Sequence, residues 1–338
     1  MSQASAIPAA ILVLALAGCV VTPAPLPPQT ESQTSARASG SDLIYATTIG
    51  GRGFVFAYPS GGIVSKFGVP KAKDVWGLCA DGNGNVFVTA ERSARSSLVY
   101  EYAHGGTAPV ATLRDDGYVA GGCSSDPVSG DLAVTSYSLS SSAKNNVALY
   151  SPGRSRPRRF FDAELSAAFC AFDGAGNLFV DGEGSVQLAE LRKGGSSLET
   201  ITLDRVLVRP GGLEWDGSDL AIEEGGFARK FSAIDRVRLT GSNGKVARAI
   251  HLHGLANRGA TFAIDARAVV SAGGQQDTEI GEWFYPSGGR VRKIFRARDI
   301  RGDSLYGVSI SLAAGCERKE AAHCAASVGW FLKRVSTL

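Results

Sequence analysis

The chain has 338 residues, 42 of them glycine, with 35 basic against 32 acidic residues for a net charge of +3. Glycine at roughly 12% against a usual 7% or so, without sustained helical periodicity, fits short strands joined by tight turns, so an all-β fold is expected. Charges this close to balance exclude the basic face of a nucleic-acid binder.

In chain order, residues 7–17 form an apolar run too short to span a bilayer but suited to the core of an export signal. The run ends Leu16-Ala17-Gly18-Cys19. This tetrapeptide resembles the lipobox of bacterial lipoproteins. The resemblance implies cleavage after residue 18, a diacylglyceryl group on Cys19 and acylation of the new amino terminus. Several acyl chains on one residue anchor stably where a single chain binds only marginally. Met1–Ala6 carries no Lys or Arg, unlike the usual signal. Val20 after the cysteine favours, by analogy, the outer membrane or periplasmic side of the envelope. Residues 19–42, rich in Pro and then in Ser and Thr, cannot bury a core and read as a tether.

Leu43–Thr48, Phe54–Tyr58 and Ile63–Phe67 read as three strands with no fourth. Next comes Gly77-Leu78-Cys79-Ala80-Asp81-Gly82-Asn83-Gly84-Asn85-Val86-Phe87-Val88, a strand, a turn and a second strand. The phrase returns at Cys170–Val180 and more loosely around Asp126, Asp216 and Asp265. These turn aspartates, with Asp81 and Asp173, are 45, 47, 43 and 49 residues apart. A strand repeat with a period in the forties predicts a β-propeller. Complete four-stranded blades are expected at 76–115, 121–162, 168–203, 211–254 and 261–299. Tyr306–Leu312, a strand without a blade, is expected to supply the missing innermost strand beside Leu43. A six-bladed ring over 43–312 would thereby be closed from both ends of the chain, leaving no free edge. Residues 313–338 are left as a tail.

The phrase at 77–88 and its relatives resemble NHL-repeat and SMP-30-like six-bladed propellers. That likeness implies the fold firmly and a function only loosely, since such propellers include binding modules and hydrolases. SMP-30-like hydrolases hold a divalent metal in the channel, one ligand being the Asn of a Pro-Asn-Gly-Leu phrase. Here the match is Pro210-Gly211-Gly212-Leu213, which has no side chain to offer. Glu214, Glu223 and Glu224 are the nearby substitutes. His251 and His253, two apart on a strand, share a face but fall short of a metal's usual ligand number. No metal or other cofactor is expected.

The five turn aspartates are expected to make turns by accepting backbone N–H groups. The basic runs 154–159 and 290–298 fall beside outer strands, where charge blocks edge pairing. The connections between blades share one face at the channel mouth and place Trp76, Tyr118, Arg209, Arg258 and Tyr306 there, residue types enriched at binding hot spots. Trp76 either binds or packs between blades. Of the cysteines after Cys19, Cys316 and Cys324 bracket a polar segment and are expected to pair. Cys79 lies two residues before its turn aspartate, whereas Cys123 and Cys170 lie three before theirs. Opposite parity lets Cys79 face Cys123 across neighbouring blades and leaves Cys170 a buried thiol. The functional expectation is a monomeric, lipid-anchored binding or scaffolding module of the bacterial envelope, meeting the membrane through its anchor and an envelope protein, small molecule or glycan through its loops. A metal-dependent lactonase or esterase is the rival.

Overall fold

The computed structural model describes residues 40–313 apart from 94–95, 117–118, 138–144, 184–186, 208–209, 225–231, 256, 267, 274–277, 299 and 301–302. The domain is a six-bladed β-propeller. In chain order the strands are β1 (Leu43–Thr48), β2 (Arg52–Ala57) and β3 (Ile63–Gly68) of the first blade, then β4 (Asp74–Ala80), β5 (Val86–Ser93), β6 (Ser96–Tyr102) and β7 (Ala111–Asp116) of the second. The third comprises β8 (Val119–Ser125), β9 (Leu132–Tyr137), β10 (Asn145–Tyr150) and β11 (Arg159–Ala163). In the fourth are β12 (Ser166–Phe172), β13 (Leu178–Glu183), β14 (Leu188–Leu191) and β15 (Glu199–Thr200), followed by β16 (Thr202–Leu203). The fifth has β17 (Pro210–Trp215), β18 (Leu220–Glu224), β19 (Ser232–Thr240) and β20 (Asn243–His253). In the sixth are β21 (Asn257–Asp265), β22 (Ala268–Gly273), β23 (Glu279–Phe284), β24 (Gly289–Arg290) and β25 (Lys293–Arg296), and the last strand is β26 (Leu305–Ser311).

Closure follows the expected register. β26 pairs antiparallel with β1, Leu43 opposite Ser311 and Thr47 opposite Gly307, giving the order β26-β1-β2-β3. The fourth blade, expected to run to Leu203, ends at Thr200 instead. β15 pairs within its blade, while β16 crosses over and pairs in parallel with Asn243 and Gly244 of β20. The basic stretch after Tyr285 divides likewise. Two glycines at positive φ, Gly288 and Gly289, turn the chain so that β24 pairs in parallel with the far end of β20 before β25 joins its own blade. Backbone ladders therefore cross both seams of the fifth blade.

Strand alternation sends successive side chains to opposite neighbours. Val86, Val88 and Ala90 of β5 pack toward the first blade, whereas Phe87 packs toward the third. Six such apolar clusters fill the six seams. In the second seam, Cys79 and Cys123 form the disulfide that their opposite parity permits, with Cα atoms 5.6 Å apart. Cys170 is a buried free thiol directed at the Ala133 carbonyl.

The turns joining first to second and third to fourth strands share one face, here the turn face; the other connections form the opposite face. On the turn face the aspartates act as expected. Asp81 and Asp173 each accept two backbone amides of their own turns and an Asn side-chain amide, at 2.8–2.9 Å. Both ends of the described chain also leave here, where the Ala313 N–H donates to Asp42 Oδ1 at 2.9 Å.

Candidate functional site

The channel is walled by the innermost strands, and glycine sets how closely these approach. A Cβ on Gly77 would lie 2.7 Å from the Gly121 carbonyl and 2.9 Å from Gly122 Cα. One on Gly121 would lie 2.7 Å from the Ala168 carbonyl. Backbones this near need glycine. Thr89 then bridges the seam by donating to the Gly121 carbonyl at 2.5 Å, and Thr135 does the same to Ala168 at 2.7 Å.

These threonines belong to a tier of which sequence reading singled out only Glu223. Thr47, Thr89, Thr135, Asp181, Glu223 and Ser271 occupy equivalent second-strand positions, one per blade, and all are buried. The signal was a polar residue closing each apolar run after a turn, as in Val-Phe-Val-Thr, Leu-Phe-Val-Asp and Leu-Ala-Ile-Glu. Two members are carboxylic acids. Burial pushes the Asp181 carboxyl well above the ordinary range even though it accepts the Phe169 N–H at 3.1 Å. Glu223 lies over Gly211, whose Cβ would meet its side chain at 3.3 Å. The glycine standing where the hydrolase motif has Asn thus leaves space filled by a carboxyl group.

Below the mouth, Leu78, Cys123, Phe169, Cys170, Glu214 and Phe262 are among the residues enclosing a cavity of only about 10 Å³, which admits about one water. Burial raises the Cys170 thiol, and the nearby Asp181 and Glu214 carboxyls raise it further. The thiol is therefore a poor nucleophile. Among the described residues no group of three His, Cys, Asp or Glu is placed to hold a metal. His251 and His253 do share a face, with ring centroids 6.2 Å apart, but on the exposed outer strand β20 rather than in the channel.

At the mouth the structure unites two of the five residues expected there. Trp76 on β4 and Tyr306 on β26 meet edge to face, with centroids 5.8 Å apart, across the seam between the first two blades. Tyr306 is buried and Trp76 half-buried, so Trp76 packs between blades and also contributes to the rim. Beside them Asp303 accepts the Gly50 N–H at 3.2 Å and ties the closing segment to the first blade. Tyr118 and Arg209 lie outside the described residues, as do Cys19, Cys316 and Cys324; Arg258 falls on β21 with its side chain outside them.

No protein-family model matches the sequence, and no curated protein sequence matches it. Among solved structures, the chain is similar to a protein of unknown function from Bacteroides caccae, with a TM-score of 0.60 and 10% identity. The similarity covers 80% of this chain and 99% of that one. At that identity it establishes the fold alone.

Proposed function

We propose that this propeller is a lipid-anchored binding or scaffolding module of the bacterial envelope, presenting its connection face to a ligand or partner. The observation that carries the reading is the aromatic pair at the mouth, where the half-buried Trp76, braced edge to face by the buried Tyr306, offers aromatic surface that a partner can reach. Beneath it the described innermost strands enclose a cavity with room for about one water. The likeness of the turn phrase to NHL-repeat propellers supports a binding role, and that of Leu16–Cys19 to a lipobox supports the anchor. Incorporation of labelled palmitate tests the anchor: Cys19→Ser is expected to abolish the label, and an equally labelled variant defeats it. Affinity capture from the native envelope with parent and Trp76→Ala protein tests the binding face. Loss of a specific partner at an unchanged far-ultraviolet spectrum is the expected outcome. Stoichiometric metal in the purified protein, lost together with esterase activity in Glu214→Ala, would instead establish the SMP-30-like hydrolase reading.

A further inference from the structure

We infer that the turn face is a docking surface for an anionic phospholipid bilayer, holding the propeller with its channel mouth directed away from the membrane. Three independent features of that face point there. The first is charge. The six turns between third and fourth strands (58–62, 103–110, 151–158, 192–198, 241–242 and 285–292) contain seven Lys or Arg and no Asp or Glu. They are Arg154, Arg156 and Arg158 in the third blade, Arg192 and Lys193 in the fourth, and Arg290 and Arg292 in the sixth, all exposed. Outside these turns, Glu199 at the start of β15 is exposed and lies 3.6 Å from Arg192, whereas the acids in the turns between first and second strands sit nearer the axis. There they are buried or half-buried and engaged with turn amides, as Asp81 and Asp173 are, or with arginines, as Asp131 is with Arg158 at 2.7 Å. A flat anionic surface approaching this face therefore meets the cations first.

The second feature is apolar. Of the large hydrophobic side chains that are exposed, Ile63, Val64, Val110, Val128 and Phe284 lie in or next to turns of this face. Phe284 is 51% exposed and carries the Arg292 guanidinium 4.2 Å from its ring centroid. An aromatic ring paired with a cation in this way suits the boundary between headgroups and acyl chains. The third is the route of the chain. Asp42, the end of the tether, enters the fold on this face beside Ala313. An anchor upstream of the tether therefore draws this face, and not the channel mouth, toward the bilayer. This last point rests on the anchor proposed above; the charge and the apolar side chains do not.

The test uses full-length Cys19→Ser protein, which cannot be lipidated, so that binding reports the face and palmitate labelling separately reports the anchor. Co-sedimentation is measured with vesicles of phosphatidylcholine, alone or mixed with phosphatidylglycerol, at low and at physiological salt. Added Arg154→Glu and Arg156→Glu substitutions, at exposed side chains with no ion pair among the described residues, are compared with Lys71→Glu and Arg298→Glu on the opposite face. The turn-face pair is expected to weaken binding to the mixed vesicles about thirtyfold or more, since each interfacial cation contributes about a factor of five. The opposite pair is expected to leave it within about twofold. Should the turn-face pair fold poorly, Arg290→Glu alone reads the same direction. Equal losses from both pairs, or binding indifferent to both anionic lipid and salt, overturns the proposal, as does retention on an acidic polysaccharide without retention on anionic vesicles.

Discussion

Asp216 shows how much one turn residue can hold. Its carboxylate accepts the Ser218 and Asp219 amides, the Arg236 guanidinium at 2.6 Å and, from the neighbouring blade, the Tyr285 hydroxyl at 2.6 Å. Burial alone would raise this carboxyl, but the hydrogen bonds from Arg236 and Tyr285 prevail and hold it at about 2. Its folded value lies below the unfolded value of about 3.9. The contribution is therefore complete above pH 4 or so and is lost as pH falls toward about 2. Asp216→Asn should cost about 2 kcal/mol at neutral pH, by taking the charge from its bonds to Arg236 and Tyr285 while Asp219 still pairs with Arg236 at 3.0 Å, and should flatten the acid limb of stability. Urea titrations across that pH range check both. The disulfide invites a second test. Ser124 stands to Cys170 as Cys79 stands to Cys123, and its hydroxyl already accepts the Phe172 N–H across the seam at 3.1 Å. Ser124→Cys should form a bridge to Cys170 under oxidising conditions, detectable by non-reducing peptide mapping. An alkylatable thiol at Cys170 in that variant would refute the parity rule.

Among the elements, the innermost strands carry the sharpest expectation. Gly77→Ala sets a methyl group 2.7 Å from the Gly121 carbonyl, with Gly122 Cα at 2.9 Å and the seam-bridging Thr89 hydroxyl at 3.0 Å. It should destabilise by about 1–3 kcal/mol, whereas Gly82→Ala, open to solvent, should be nearly neutral; denaturant midpoints distinguish them. Much of this level was legible in the sequence because turn chemistry and period-two alternation are local. Asp81 and Asp173 announced their turns, and the one-residue offset of Cys79 announced its partner. The parallel pairs of β16 and β24 with β20 were not legible, since two-residue ladders between different repeats leave no periodic trace. Nor was the close approach of the innermost strands, because Gly77 and Gly121 read equally well as bulges. At the mouth, Trp76 and Tyr306 are 230 residues apart in the chain. Only the placement of β26 inside the first blade brought them to one rim.

At the scale of the whole molecule, the ring depends on β26. Deleting residues 305–338 removes the strand paired with β1 and the buried Leu305, Val308 and Ile310. It should lower the thermal midpoint far more than deleting residues 22–41; equal midpoints would contradict the closure. The same junction has another consequence. Because Asp42 and Ala313 are hydrogen-bonded neighbours, the chain is in effect a circle cut inside its first blade, and the position of the cut is arbitrary with respect to the packing of the blades. A circular permutant joining residues 42 and 313 by a short linker, with new termini opened at residues 70–71 between β3 and β4, should keep the native fold. Its attachment point would move to the opposite face, so that the same propeller, tethered from there, would be presented upside down.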